Sequence, residues 1–246
     1  MAARVVIFGA TSAIATEVAA IHVARGDALY LIGRSQAKLD ALERRFEGAA
    51  RIARADFDDV RGAAPLVERV AAELGGIDTA LIAHGLLGDQ LASERDFGEA
   101  ERIIHANFTS AVALLIPLVQ RFEAQRAGRL GVITSVAGER GRPRNYTYGA
   151  SKAALGVYLQ GVRSRVHGAG VAVTTLKLGP VDTPMTESHP KNALFAKPDE
   201  VARDIVRVMD ERRAEVFVPR RWAAIMPVVR STPEALFQKL KFLSGR

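Results

Sequence analysis

Short apolar runs alternate along the chain with longer segments in which apolar residues return every three or four positions. The runs are Val5–Phe8, Ala28–Ile32, Arg51–Ala55, Thr79–Ala83, Arg129–Thr134, Val171–Leu178 and Glu215–Val218. They are short and bounded by turn formers or charged residues, so they read as strands buried on both faces. Helical spacing runs through Ser12–Arg25, Gln36–Phe46, Arg61–Leu74, Phe97–Arg126, Tyr148–His167 and Pro198–Arg213. Gly26 and Gly75-Gly76 stop two of these segments. Pro117 interrupts the longest one, where its missing N–H predicts a break or kink. Strands alternating with helices at this spacing predict an α/β fold, a single doubly wound parallel sheet of about seven strands with helices on both faces. Neither an internal repeat nor a linker interrupts it.

Length and composition agree with one domain. The 246 residues are 48% hydrophobic, enough for a full core, and contain no cysteine. That excludes disulfides, thiol catalysis and thiolate-held zinc, and it suits a reducing cytoplasm. Met1–Gly9 is too briefly apolar for a signal peptide, and no run of about eighteen apolar residues suggests a membrane span. The net charge of +7 is concentrated at the end: residues 216–246 hold six Lys/Arg against Glu234, five of the seven charges. Residues 1–215 therefore read as the dinucleotide-binding and catalytic part, and 216–246 as a basic, amphipathic extension of the same domain.

The chemistry centres on Tyr148-Gly-Ala-Ser-Lys152. A tyrosine and a lysine four residues apart share a helix face. An ammonium beside a phenol favours the phenolate, so the pKa of Tyr148 is expected to fall from about 10 and make it a usable acid or base. Ser135 precedes it by thirteen residues, at the end of a strand. At the other end of the chain, Gly9-Ala-Thr-Ser-Ala-Ile-Ala15 joins a strand to a helix, where backbone amides and a helix N-terminus can hold a pyrophosphate. Together these features resemble the short-chain dehydrogenase/reductase family from about Arg4 to about Met185. The resemblance implies a Rossmann-type domain and a nicotinamide cofactor.

The same resemblance implies residue roles. Gly9, Thr11, Ser12, Ala13 and Ile14 would form the phosphate turn, although the family has glycine where this chain has Ala13 and Ala15. Asp56 and Phe57 would meet the adenine, and Ala83-His84-Gly85 would support the cofactor, with His84 structural. Gly179, Val181 and Thr183 would contact the nicotinamide end, followed by a mobile substrate loop over Thr186–Lys197. Ser135 would bind the substrate oxygen, Tyr148 would carry the proton, Lys152 would assist it and hold the ribose, and Asn107 would support a relay water. After the second strand Arg34 stands where a carboxylate would select the 2′-hydroxyl, and arginine pairs with phosphate through two bonds. NADP(H) is therefore expected, with NAD(H) the alternative, and no metal site is expected.

Arg140, Arg142 and Arg144 crowd the loop between Ser135 and Tyr148. They suggest a substrate with an anionic group. The expected substrate is a small-molecule or lipid-linked carbonyl or alcohol; the layout is similar to family members that reduce polyprenyl-phosphate-linked keto-sugars. In the tail, Ser231 or Thr232 can cap a helix with Pro233 in its first turn, and Leu236, Phe237, Leu240 and Leu243 repeat at helical spacing. That pattern fits either peripheral contact with an anionic membrane or packing against the domain. Nucleic acid is not expected, since no recognition motif accompanies the charge. Ala111–Val119 and the face formed by Ala150, Ala153, Ala154 and Val157 are compatible with the homo-oligomer that the resemblance implies. The competing function is a catalytically idle dinucleotide-binding regulator or scaffold.

Overall fold

A computed structural model describes residues 2–187 and 190–240. Seven strands form one parallel sheet in the order β3-β2-β1-β4-β5-β6-β7. They are β1 Arg4–Phe8, β2 Ala28–Gly33, β3 Ala50–Arg54, β4 Thr79–Ile82, β5 Gly128–Ser135, β6 Val171–Leu178 and β7 Glu215–Val218. Helices α1 Ala13–Ala24, α2 Gln36–Arg45 and α3 Ala63–Leu74 follow the first three strands. Then come α4 Gln90–Ser93, α5 Phe97–Ile104, α6 Ser110–Gln125, α7 Tyr146–Arg165, α8 Pro198–Asp210, α9 Trp222–Ser231 and α10 Glu234–Phe237.

Both sheet faces are apolar because alternate strand residues feed different cores. Val6, Phe8, Ile82, Leu130 and Val132 pack with Val67, Val70, Leu115, Phe122 and Leu155 from α3, α6 and α7. Val5, Ile7, Leu31 and Leu176 pack with Val18, Leu42, Val201 and Ile205 from α1, α2 and α8. Strand order reverses between β1 and β4, which puts a crevice at the carboxyl ends of those strands.

The irregularity in the long helical segment lies elsewhere than expected. Pro117 is buried inside α6, and the break is a π-helical turn over His105–Thr109. Side chains account for it. Asn107 Nδ2 donates to the Ile103 carbonyl at 2.9 Å and Ser110 Oγ to the Ala106 carbonyl at 2.9 Å. Each occupies a carbonyl that an i→i−4 backbone bond would otherwise use, which widens the helix. By length and mean hydropathy the run Phe97–Gln125 is apolar enough to cross a membrane, yet half of its most apolar window is buried inside the protein. It is a core helix here.

The basic tail is also resolved by packing. Its first residues complete the sheet as β7, so the division at residue 215 falls inside a strand. Beyond it Trp222, Met226, Val229 and Phe237 form a third core cluster with Val136. Phe237 is buried whereas its neighbour Leu236 is exposed, so the apolar stripe faces the domain through Phe237. Leu243 and Lys241 lie outside the described residues.

Candidate active site

Only one glycine of the phosphate turn is conformationally required. Gly9 has φ +83°, and a Cβ there would approach the His84 backbone nitrogen to 2.5 Å. Ala13 and Ala15 lie in α1, where alanine is the best helix former, so replacing the family's glycines costs no backbone strain. Ser12 caps α1, its Oγ accepting from Ala15 N at 3.2 Å. The first turn of α1 holds no acidic residue, leaving the positive end of the helix dipole unopposed. Thr11 packs on Gly33 so closely that any side chain at 33 would strike its methyl.

Arg34 is exposed, and its side chain has no ion pair among the described residues. A second arginine joins it. The register Gly33↔Arg54 brings Arg54 alongside, and Arg54 Nε donates to the Arg34 carbonyl at 3.2 Å. Sequence reasoning missed Arg54 because only the pairing of β2 with β3 reveals it. No carboxylate stands at the end of β2.

Asp56 is exposed and Phe57 buried, at the rim of a cavity of about 310 Å³ that reaches Ser110 and Leu114. The Phe57 ring stacks on His84 at 4.5 Å between centroids. His84 Nε2 lies 2.8 Å from Ser110 Oγ. Because that hydroxyl donates to Ala106, it accepts from His84, which fixes Nε2 as the protonated nitrogen. Burial, then the charges of Lys152 and Arg34, push the His84 pKa down to about 3. A neutral ring this reluctant to take a proton is a poor base near neutral pH, and its stack on Phe57 and bond to Ser110 give it a packing role at the crevice.

Asn107 is buried and makes three side-chain hydrogen bonds. Its Oδ1 accepts from Leu86 N at 2.9 Å and its Nδ2 donates to the Leu86 carbonyl at 2.7 Å, besides the bond to Ile103. The side chain thus pins the segment after Gly85, with both amide hydrogens used and one acceptor position left on Oδ1. Gly85 is equally constrained: a Cβ there would lie 2.8 Å from Asn107 Oδ1 and 3.1 Å from Lys152 Nζ.

Tyr148 and Lys152 occupy the first two turns of α7, beside the end of β5 where Ser135 sits. Ser135 Oγ accepts from Ala137 N at 3.1 Å. Thr134 points to the opposite face and donates to the Leu176 carbonyl at 3.2 Å. The expected depression of the Tyr148 pKa is not found. Burial pushes the phenol above its ordinary value, with a hydrogen bond from Ser135 pulling the other way. Lys152 does not help because it is directed elsewhere. Its Nζ donates to the Ile133 carbonyl at 3.2 Å and stands 5.9 Å from the tyrosine ring centre. Burial also pushes the ammonium down to about 8. The phenol therefore carries its proton at neutral pH.

A cavity of about 160 Å³ lies behind these groups, lined by Ser135, Lys152, Glu139, Lys177, Glu215 and Arg230. Its floor is ionic: Lys177 Nζ meets Glu139 at 2.6 Å and Glu215 at 2.5 Å, while Arg230 lies 3.4 Å from Glu139. Along β6, Gly179 follows Leu178, donates to the Val218 carbonyl at 2.9 Å and lies against the indole of Trp222. Val181 is buried and bridges Ala196, and its carbonyl accepts from Thr186 Oγ1 at 2.6 Å. Thr183 starts the next turn, its N–H donating to Thr186 Oγ1 at 3.2 Å. Arg221 holds the returning loop by donating to the Leu194 and Phe195 carbonyls at 3.1 and 3.2 Å.

The three loop arginines have separate fates. Arg140 is not free for a substrate. It donates to the Val229 carbonyl at 2.8 Å, to the Thr232 carbonyl and to Glu234 at 2.7 Å, and lies 3.9 Å over the Phe237 ring. It clamps the C-terminal segment onto the catalytic loop. Arg140→Ala is expected to cost about 1–3 kcal/mol, the range for losing hydrogen bonds to a charged group. Hydrogen exchange would show it as lost protection confined largely to Val229–Phe237; unchanged protection there would refute the clamp. Arg144 is exposed. Arg142 is partly buried, with no acidic partner among the described residues.

Fold and site together define an α/β protein of the dinucleotide-fold class, with a serine, a tyrosine and a lysine gathered at the carboxyl edge of its sheet. Residues 3–193 match the sequence model for short chain dehydrogenases, and the chain belongs to that family. It is 34% identical, over 97% of both chains, to an uncharacterized oxidoreductase of Mycobacterium tuberculosis. An uncharacterized oxidoreductase of Myxococcus xanthus is 29% identical over 90% of this chain and 91% of its own. Among solved structures, a Streptomyces avermitilis short-chain dehydrogenase superposes with TM-score 0.84 at 18% identity, covering 100% of this chain and 98% of that one. A Burkholderia cenocepacia short chain dehydrogenase in complex with NADP gives 0.83 at 19% identity, with 97% of each chain covered. Those two likenesses establish the fold.

Proposed function

We propose that this protein is an NADP(H)-dependent oxidoreductase that interconverts a carbonyl and a secondary alcohol. The observation that carries the reading is the convergence of Ser135, Tyr148 and Lys152 beside the Gly9 turn, in a member of an oxidoreductase family. The turn suits a pyrophosphate, since Gly9 allows close approach and the α1 N-terminus supplies unopposed N–H groups. Arg34 and Arg54 would hold a 2′-phosphate, and the Burkholderia relative's bound NADP supports that preference. Asp56 and Phe57 would border the adenine, and Gly179, Val181 and Thr183 the nicotinamide.

The cofactor supplies the hydride, and the protein supplies orientation and a proton. Ser135 holds the substrate oxygen, and Tyr148 delivers a proton to it as the carbonyl is reduced. Lys152, charged below about pH 8, would hold the nicotinamide ribose from the next turn of the same helix. An idle scaffold would have no need of this constellation. The exposed Ile116 on α6 and Val157, Ala150 and Ala154 on α7 support assembly of identical subunits through these helices. Peripheral membrane contact would fall to the exposed basic residues of the tail, such as Arg220.

Fluorescence titration tests the cofactor half. NADPH should bind more tightly than NADH, and Arg34→Glu should weaken NADPH by roughly tenfold or more while leaving NADH within about threefold, as expected for one charge-assisted phosphate contact. Equal loss for both cofactors would remove Arg34 from the phosphate site. Failure of both to bind would return the idle-scaffold reading.

A further inference from the structure

Four helices of this protein cap their own first turn. The side chains of Ser12, Ser35, Asp89 and Asp96 accept from backbone N–H groups at the starts of α1, α2, α4 and α5. The helix that carries Tyr148 and Lys152 does not. Asn145 stands at the cap position of α7, yet its side chain makes no bond to the first turn. The acceptor comes instead from α4, 57 residues away in sequence: Thr147 N donates to Gln90 Oε1 at 3.1 Å. Gln90 is aimed by its own segment, since its Nε2 donates to Glu94 at 3.3 Å and leaves Oε1 for α7. Ser93 adds a second contact. Its hydroxyl donates to the Gln90 carbonyl at 2.9 Å, so its oxygen accepts from Thr147 Oγ1 at 3.0 Å.

Thr147 is buried, and the next residue is Tyr148. The turn that bears the phenol is therefore tied at one point to α4. At another it rests on the 3₁₀ turn Val136–Glu139, which follows Ser135. A Cβ at Gly149 would stand 2.7 Å from the Ala137 carbonyl oxygen, and one at Gly138 would stand 2.8 Å from Ala153 N. Backbone contact this close fixes how near α7 comes to that turn. It does not satisfy the N–H groups at the start of α7, where a helix lacks bonds of its own and frays first. The Gln90 bond meets that need from a segment which is itself held in place. Asn107 binds both backbone groups of Leu86, at 2.9 and 2.7 Å, and Asp89 N donates to Glu99 at 2.9 Å.

Resting on the oxidoreductase reading above, we propose that Gln90 and Ser93 are positioning residues for Tyr148: together they hold Thr147, and with it the first turn of α7, so that the phenol faces Ser135. They act through Thr147 and not on the substrate. This gives the short helix α4 a part in the reaction, as the piece that references the proton donor to the segment leaving the cofactor crevice.

NMR of the full-length protein, with its tyrosines labelled with ¹³C at Cζ, reads the phenol without a substrate. The Tyr148 signal is identified by its loss in Tyr148→Phe, and Ser135→Ala shows where it moves when its neighbour is removed. Gln90→Met keeps the side-chain length and removes the acceptor. It should speed hydrogen exchange at Thr147 N–H by roughly fivefold, as for a lost helix cap, and move the Tyr148 signal in the direction of Ser135→Ala. Ser93→Ala should move it the same way by less, and carries the test should Gln90→Met not fold. Gln90→Glu combined with Glu94→Gln retains the acceptor, the bond between these two positions and the net charge, so it should restore both readings. NADPH affinity in these variants should stay within about threefold of the parent. A Tyr148 signal that stays in place in the variants that fold, that moves away from the Ser135→Ala position, or that the paired exchange fails to restore overturns the proposal. If the parent protein does not bind NADPH, the oxidoreductase reading falls, while the Tyr148 signal still decides whether α4 positions the phenol.

Discussion

Tyr148→Phe is expected to lower kcat by about 10²–10⁴-fold, the usual contribution of a positioned proton donor. The substitution removes one hydroxyl from a half-buried ring, so NADPH affinity and thermal stability should change little. The pH profile makes the expectation sharper. Tyr148 keeps its proton well past neutrality because burial raises its pKa. The first group to change as pH rises is therefore Lys152, pushed down to about 8. Its ammonium is present below that pH and absent above it, so reduction should weaken as pH climbs through about 8.

Stability should move the opposite way. Burial disfavours the charged lysine in the folded state, whereas the unfolded chain holds its proton up to about 10.4. Between these values the unfolded state binds more protons, and folding becomes more favourable with rising pH. The destabilising charge acts in full below about 8 and is relieved above it. A protein that loses activity while gaining stability from pH 8 to 10 is not undergoing alkaline denaturation. Parallel loss of both would remove Lys152 from the explanation, and Tyr148→Phe with near-normal turnover would remove Tyr148 from the chemistry.

The sheet was legible because most strands are short apolar runs, each bounded by its own turn. Gly9 was legible for the same local reason: a strand-to-helix turn with one residue at positive φ writes itself as glycine. Ser135, Tyr148 and Lys152 were legible through spacing. Everything that depends on contacts between distant segments was not. Arg140 looked like a substrate ligand because its neighbours in sequence are arginines, but its partners lie 89 to 94 residues away. Arg54 reaches Arg34 only through strand pairing. The π turn comes from Asn107 and Ser110 capturing carbonyls with their side chains, whereas Pro117 carried the visible signal and proved harmless. In the tail, helical periodicity announced a face needing cover without saying what covers it. The pKa of Tyr148 failed for a related reason: i,i+4 spacing places two side chains on one face, but the Ile133 carbonyl decides where Lys152 points.

Lys177→Met is expected to destabilise the protein by about 3–5 kcal/mol, the range for breaking a buried ion pair by removing one partner. Lys177 and Glu139 are each 8% exposed, so water screens them poorly. Methionine is close to lysine in length and can still lie against the Phe217 ring, over which the Lys177 ammonium stands at 5.3 Å. What remains is electrostatic: Glu139 keeps only Arg230 at 3.4 Å, and Glu215 loses its lysine. For a chain of this size that loss corresponds to a fall in melting temperature of roughly 10 °C. Adding Glu139→Gln and Glu215→Gln to Lys177→Met should restore most of the stability, because a neutral polar cluster carries no orphaned charge. The consequence reaches the site. Glu139 ends the short 3₁₀ turn that begins one residue after Ser135, and Lys177 anchors that turn to β6 through its ion pair with Glu139. Activity in Lys177→Met should therefore fall further than the folded fraction does, through loss of Ser135 placement. A single variant as stable as the parent would mean that Arg230 and solvent already satisfy Glu139, and the anchoring role would pass to the Arg140 clamp.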